Sequence, residues 1–277
     1  MLSRFVRAFF ADLATATGTT IVILFLGLAL FGPWIAPYSP TAQNASAIRL
    51  PPSTTHVLGT DRLGRDLLSR IIYGARDILL LAGGGTILAV LSGTLIGVSV
   101  TYLGGWLEEL VFRIFDGLLA LPALLLALLL LGTVGPSRSG VLLVIVVVYT
   151  PIVARVVRSV VLSLKPRGFI EAARMRGERL GYILWRELLP LVAPTLAVEA
   201  ALRFSYAIFL VASLGFLGVG VQPPSPDWGL MVLEARNEFA LAPWSLYAPA
   251  AAIALLVIGV NLMAEGVRRA IREDVTR

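Results

Sequence analysis

The sequence predicts an all-α integral membrane protein with six transmembrane helices. Of its 277 residues, 57% are hydrophobic and 14% are charged, and the mean hydropathy is +0.86. A soluble domain carries about 25% charged residues, so this composition excludes the soluble globular classes. Six apolar stretches of about 18 to 25 residues match the length that a helix needs to cross a bilayer.

The predicted spans end at prolines, glycines or arginine clusters, and we expect Pro122 to kink the third span. The positive-inside rule places both chain termini in the cytoplasm, because the basic segments 165–186 and 268–277 then face inward. Residues 38–77 lie outside in this topology, although they contain five arginines. The six predicted spans cover residues 17–35, 78–102, 115–134, 140–162, 191–214 and 246–263.

The N-terminal segment 1–15 combines phenylalanines with Arg4 and Arg7, which predicts a short amphipathic lead-in at the membrane surface. We expect the following span to be an uncleaved signal anchor, because it is about twenty residues long and no clear cleavage site follows it. Residues 1–77 are therefore predicted to form an anchor helix and an extracytoplasmic or interfacial segment.

Composition and motifs exclude several chemical functions. The net charge of +6 fits loops that face anionic lipid, and no nucleic-acid-binding motif is present. With no cysteine, the chain offers no disulfide, thiol catalyst or cysteine metal site. Gly93 and Gly97 lie in a glycine-rich stretch without the Gly-Lys-Ser/Thr of a phosphate loop, so we expect them to permit close helix packing. We predict that His56 is a surface loop residue, and no metal site or catalytic group is expected.

The basic loop, residues 165–190, is the clearest polar interruption of the apolar sequence, with one lysine and five arginines. We predict a short helix over 169–180, with Glu171 in the first turn, where the helix dipole favours a negative charge. Ala173 and Gly177 are four residues apart and are expected to form a face that another backbone or a partner's side chains can approach closely. The spacing alone equally allows a surface helix that only connects two spans.

Charged residues also cluster at two other places. In the segment 56–77, Asp66 and Arg70 have the i, i+4 spacing of an ion pair, which predicts an interfacial helix. Within the fifth span, Glu199 and Arg203 have the same spacing. Ionisable groups at that depth face protein or water, so this pair either lines a translocation route or joins two subunits structurally.

Three stretches resemble the signatures of one membrane-protein family. The basic loop resembles the EAA loop of ABC-importer permeases, in which a coupling helix docks on a separate ATP-binding subunit. Residues 58–76 resemble the LGTDxxGRDxxSRxxxGAR signature of the C-type permease of dipeptide and oligopeptide importers, although Arg65 and Asp66 could serve a purely structural role. Residues 212–231 resemble the SFLGLGxxPPxPxWGxML signature of peptide-importer permeases. The matched positions are Glu171, Ala172, Ala173, Gly177, Leu189 and Pro190; Gly59, Thr60, Asp61, Gly64, Arg65 and Asp66; and Pro223, Pro224, Trp228 and Gly229.

The resemblance implies a type I ABC importer permease with a MetI-like fold, of the dipeptide, oligopeptide and nickel class. Residues 78–277 would form its transmembrane domain, and Arg174 would join the coupling residues of the basic loop. The chain would form a heterodimer with a B-type permease in the prokaryotic inner membrane. Two ABC ATPase subunits would bind inside, and a solute-binding protein would deliver substrate outside.

The same resemblance implies that this chain is not itself an enzyme and binds no cofactor, since ATP and Mg²⁺ would bind the partner ATPases. Peptides are the expected substrate, with nickel or another small solute as the alternative within the family. A non-ABC secondary carrier that uses Glu199 and Arg203 as a relay is the alternative from another class.

Overall fold

The computed structural model describes residues 12–275, so most of the predicted amphipathic lead-in lies outside the described residues, as does Arg277 of the basic tail. Regular structure in the described range is helical. The helices are α1 (Leu13–Ile35), α2 (Leu67–Leu103), α3 (Gly105–Leu119), α4 (Ala123–Val134), α5 (Arg138–Leu164), α6 (Gly168–Met175), α7 (Leu180–Phe216), α8 (Trp228–Ala235) and α9 (Trp244–Val275).

Five of the described helices, α1, α2, α5, α7 and α9, are long and apolar enough to cross a membrane. Helices α3 and α4 meet that test only as a pair, and they are bent by 94°. The predicted third span, a single kinked helix over 115–134, is therefore wrong in form. Pro122 lacks a backbone N–H and ends the helical ladder, so α4 starts anew after it. The pair completes the predicted set of six spans if it crosses the membrane as one unit.

Helix α5 and its contact with α2 form the centre of the core. In the most apolar part of α5, 61% of the residues are buried. Gly93 and Gly97 of α2 lie so close to α5 that a Cβ on either would come within 2.7 and 2.8 Å of Val153 and Val157. This confirms the predicted close packing at the GxxxG pair, because only glycine leaves room for the valine side chains.

Helix α2 begins eleven residues before the predicted second span, at Leu67 rather than residue 78. Asp66 starts it as an N-cap, accepting hydrogen bonds from the Ser69 backbone N–H at 2.8 Å and from its hydroxyl at 2.7 Å. The prediction of a separate interfacial helix in segment 56–77 is thus wrong. Its residues from Leu67 onward form the first turns of α2, which continues without a break across residues 77 and 78, and the apolar face of these turns is buried. At 1.5 Å per residue, the 37 residues of α2 extend about 55 Å.

Two segments, the loop 36–66 and residues 217–243 with helix α8, pack together over the start of α2, and we call them the cap. The Trp244 indole N–H donates to the carbonyl of Thr60 at 3.2 Å, and that of Trp228 donates to the carbonyl of Ile71 at 3.1 Å. The basic loop lies at the other end of α2, beside Tyr102.

Helix α7 begins at Leu180, well before the predicted fifth span over 191–214. Its stretch Ile183–Leu188 is π-helical, with the Leu189 N–H bonded to the carbonyl of Leu184. Proline has no N–H to donate and its ring crowds the preceding turn. A widened turn just before Pro190 relieves this crowding and lets the helix continue.

Candidate functional site

The short helix α6 of the basic loop is seated on the chain's own core. Ile170 and Ala173 are fully buried and belong to one apolar cluster with Val157, Val161 and Leu188. Ala173 therefore faces inward. The predicted shared face of Ala173 and Gly177 is wrong, because Gly177 lies beyond the end of the helix, and the chain's own core is what approaches Ala173.

Gly177 ends α6 rather than continuing it. Its φ of +75° lies in the left-handed region, which glycine adopts without a steric penalty. Its N–H donates to the Arg174 carbonyl at 2.9 Å, and the Glu178 N–H donates to the Ala173 carbonyl at 3.2 Å. These two bonds form a Schellman motif, so the helix stops at Met175 and not at the predicted residue 180.

A polar contact ties α6 to the end of α2. The Arg174 Nε donates to the Tyr102 hydroxyl at 2.8 Å, and its guanidinium lies 4.9 Å from the centre of the Tyr102 ring. Lys165 reinforces this junction by donating from Nζ to the Thr101 carbonyl at 3.2 Å. Tyr102 was not expected at the site, since nothing in its apolar surroundings distinguishes it.

The opposite side of α6 is open. Glu171, Ala172, Arg174 and Gly177 are exposed, and Met175 exposes 84% of its surface. Trp185, in the π-helical stretch, adds a second large exposed apolar side chain. Leu189 is half-buried and Pro190 is exposed at the start of the regular part of α7. The basic loop is thus fixed to the core on one side and presents an apolar tip, formed by Met175, on the other.

At the cap, four charged side chains form a buried network between the first turn of α2 and helix α8. Arg65 contacts Asp61 at 2.6 Å and Glu234 at 2.7 Å, and Arg70 contacts the same carboxylates at 3.6 and 3.3 Å. Within residues 12–275, Asp66 does not pair with Arg70, so the predicted i, i+4 ion pair is wrong. The N-cap geometry turns Asp66 toward Ser69 instead.

His56 is also more enclosed than expected. Its Nδ1 lies 2.9 Å from Asp66 Oδ1, and its ring packs 5.0 Å from that of Tyr38. The side chain lies in a loop, as predicted, but it is mostly buried, because it bridges the loop to the N-cap of α2.

The remaining signature residues shape the cap. Gly59 and Gly229 lie where a Cβ would meet Trp244 and the Ala212 carbonyl, and Gly64 lies equally close to the backbone of Asn44. Thr60 is fully buried and donates to the carbonyl of Ala47 at 2.5 Å. Trp228 is fully buried, whereas Pro223 and Pro224 are exposed.

Asp227 caps α8 and is almost fully buried. Burial raises the pKa of Asp227 to about 6, and hydrogen bonds from the backbone N–H groups of Leu230 and Gly229 oppose that rise. Asp227 was not singled out from the sequence, although an aspartate just before a helix is an N-cap signal.

Glu199 and Arg203 form the ion pair predicted from their spacing, with Nε and Oε1 at 2.8 Å. Both side chains are largely buried. Arg203 lines an open cleft of about 330 Å³ between α4, α5 and α7, together with Tyr149 and Tyr206. Among the described residues, no group of three His, Asp or Glu side chains could hold a metal ion.

Comparison with known families decides what these elements belong to. Residues 85–277 match the family model described as binding-protein-dependent transport system inner membrane component. The chain belongs to this family. Residues 1–52 match a second model, the N-terminal transmembrane domain of oligopeptide transport permease C. The predicted C-type permease resemblance is confirmed.

Relatives that match this permease over most of their length agree with the family assignment. It is 39% identical to the dipeptide transport system permease protein DppC of Alkalihalophilus pseudofirmus, over 92% of this chain and 84% of that protein. It is 37% identical to the di/tripeptide transport system permease protein DppC of Pseudomonas aeruginosa, over 98% and 91%. It is 38% identical to the glutathione transport system permease protein GsiD of Escherichia coli, over 96% and 88%.

The fold is also found among solved structures. A chain of the MetNI methionine ABC transporter, in inward-facing conformations, aligns with a TM-score of 0.59 and 22% identity, over 76% of this permease and 98% of that chain. At this identity the match shows the fold alone, and it confirms the MetI-like helical architecture. The two charged regions of the permease lie at opposite ends of α2, separated between Arg70 and Tyr102 by about 48 Å.

Proposed function

We propose that this permease is the C-type subunit of an ATP-driven importer of short peptides, and that its basic loop receives the force of the ATPases. The observation that carries the proposal is the position of α6. Ile170 and Ala173 fix the helix to the core, and Arg174 fixes it to Tyr102, while Glu171, Ala172 and Met175 face outward. A helix that only connected two spans would not need an exposed apolar tip.

The proposal places the basic loop and both chain termini in the cytoplasm and the cap outside, because lysine and arginine concentrate in the loop and the tail. Two ABC ATPase subunits would bind this side, with α6 in a groove of one of them. A B-type permease would complete the translocation path, and a solute-binding protein would dock outside. ATP and Mg²⁺ would bind the ATPases, and this chain would bind no cofactor.

The mechanism follows from the rigidity of the loop. When the ATPases close on ATP, α6 moves with them, and the contacts of Arg174 with Tyr102 and of Ile170 with α5 pass that movement to the spans. The cavity between the two permeases would then open outward to receive substrate. Release of the hydrolysis products would return it to the inward-facing state.

Short peptides are the proposed substrate because the relatives named above are described as transporting dipeptides, di- and tripeptides, and glutathione, itself a short peptide. Nickel is the alternative within the family. Uptake of dialanine and of Ni²⁺ by the reconstituted complex, each with its loaded binding protein, separates the two.

The test of the coupling role uses the exposed tip of α6. Met175→Glu should leave folding intact, since the side chain is exposed, but it should prevent the ATPase from co-purifying and abolish ATP-dependent uptake in liposomes. Leu241→Glu, at an exposed position of the cap, is the matched control for ATPase binding and should leave co-purification of the ATPase at the wild-type level. Normal uptake by Met175→Glu would contradict the proposal. Uptake by the permeases without ATPase would indicate a secondary carrier.

A further inference from the structure

Among the described residues, one cation, Arg203, lines the open cleft, and it lies halfway along the regular part of α7. Arg203 lies about 20 Å from either end of the stretch Leu189–Phe216 at 1.5 Å per residue, so the cleft is at mid-membrane depth. Its walls are otherwise mostly apolar or aromatic, with contributions from Leu124 and Phe209, and Ser213 is the other polar residue of the described lining. The volume of about 330 Å³ falls in the range of small-ligand sites, about 300–1,000 Å³.

The guanidinium of Arg203 is only partly used. Its Nε lies 2.8 Å from Glu199 Oε1 without the geometry of a hydrogen bond, and Nη1 and Nη2 meet no acceptor among residues 12–275. The rings of Tyr206 and Tyr149 lie 4.9 and 5.8 Å from the guanidinium carbon and hold the group in place. Cationic donors without an acceptor at the centre of a membrane cost free energy. An acceptor that enters the cleft would therefore be stabilised by binding to them.

The free end of the guanidinium presents two parallel N–H donors, the geometry that binds a carboxylate through two hydrogen bonds. Glu199 offsets the charge of Arg203 in the empty cleft. It also weakens the attraction to an incoming anion, and a transport site needs such weak binding to release its cargo.

We propose that Arg203 binds the carboxylate of the peptide during its passage, with Tyr149 and Tyr206 packing against the peptide body. This inference rests on the proposed function, because it takes the cargo to be a peptide. Glu199 acts as a positioning residue that orients Arg203 without touching the cargo. The alternative occupant, an acidic side chain of the second permease, is an outcome of the test.

The experiment uses the complete importer in liposomes, with binding protein loaded with dialanine, and measures ATP hydrolysis and uptake together. In Arg203→Gln, ATP hydrolysis should stay at the wild-type level, while uptake per ATP falls about tenfold through loss of charge-assisted hydrogen bonds. Arg155→Gln is the matched control, since Arg155 is exposed and pairs with Asp116 on the neighbouring α3. It should keep wild-type uptake.

The double variant Glu199→Gln, Arg203→Gln separates substrate binding from a structural pair. A site for the carboxylate predicts that the double variant stays as defective as Arg203→Gln. Recovery of normal uptake would overturn the proposal, because a structural pair tolerates neutralisation of both charges. Loss of the second permease from Arg203→Gln during purification would also overturn it and would indicate a subunit contact.

A binding measurement keeps the inference testable apart from transport. Dialanine and its C-terminal amide are titrated onto the detergent-purified complex without binding protein. Wild type should bind the amide about tenfold more weakly, and Arg203→Gln should bind both equally. Equal binding by wild type would refute the carboxylate site. Failure of wild type to couple uptake to ATP would refute only the proposed function.

Discussion

Replacing Glu234 by glutamine removes one of the two carboxylates that neutralise Arg65 and Arg70 beneath the cap. Arg70 is 1% exposed at its side chain and keeps only Asp61, at 3.6 Å, after this change. The network then carries a net positive charge in a largely buried site. Removing one partner from a buried ion network costs about 3–5 kcal/mol, because the remaining charge is left uncompensated. We expect Glu234→Gln to lower the free energy of unfolding by this amount.

Glu238→Gln is the matched control, because it makes the same chemical change four residues further along the chain, beyond the end of α8. Its partner Arg49 is 37% exposed, so solvent screens the lost pair and the expected cost is at most about 1 kcal/mol. A second variant, Glu234→Leu with Arg70→Met, removes one acid and one base together. It should recover most of the stability lost in Glu234→Gln, since the network is again neutral.

The assay is unfolding of the detergent-purified permease in denaturant, followed by the fluorescence of its five tryptophans. Two of them, Trp228 and Trp244, join the cap to the helices and report on the region of the network. If Glu234→Gln and Glu238→Gln unfold within about 0.5 kcal/mol of each other, the buried network does not hold the cap on α2, and the reasoning fails.

Two further predictions concern the basic loop and the cap. Gly177→Ala should lower stimulated ATP hydrolysis about fivefold, because a left-handed residue other than glycine costs about 1 kcal/mol at the end of α6. Gly181→Ala, at an open helical position, should leave that rate unchanged, and equal rates would contradict the capping role. Asp227→Asn tests the raised pKa of Asp227, about 6 against an ordinary 3.8. The folded protein holds this proton more tightly than the unfolded chain does, so stability should fall by about 2 kcal/mol as pH rises from 4 to 6. Denaturant unfolding across that range should show the decline in wild type and a flatter curve in Asp227→Asn, and parallel curves would exclude Asp227 as the cause.

Much of the fold could be predicted, because a membrane span is recognisable in the sequence as an apolar stretch of about 20 residues. The GxxxG contact of Gly93 and Gly97 with α5 was equally accessible, since close packing in lipid requires small residues at that spacing. The bend at Pro122 was harder, because a proline within an apolar stretch is compatible with either a kink or a break. The extension of α2 into the cap was missed, because its first turns carry charges that are neutralised from elsewhere in the chain.

Pairs that are distant in sequence account for most of what was missed at the site. Glu234 meets Arg70 across 164 residues, and Arg174 meets Tyr102 across 72, so no local pattern reports either contact. The end of α6 was a different case. A glycine after a short helix with basic residues in its last turn is a recognised stop signal, and it indicated a boundary before Gly177.

The central claim is that the basic loop faces the cytoplasm and seats an ATPase. Because the chain has no cysteine, Met175→Cys and Val57→Cys each create a single exposed thiol, one on α6 and one on the cap. Their labelling by a membrane-impermeant maleimide is measured in intact and in permeabilised cells. We predict that Val57→Cys reacts in intact cells, and that Met175→Cys reacts only after permeabilisation and only when the ATPase is absent. Labelling of Met175→Cys in intact cells would contradict the account.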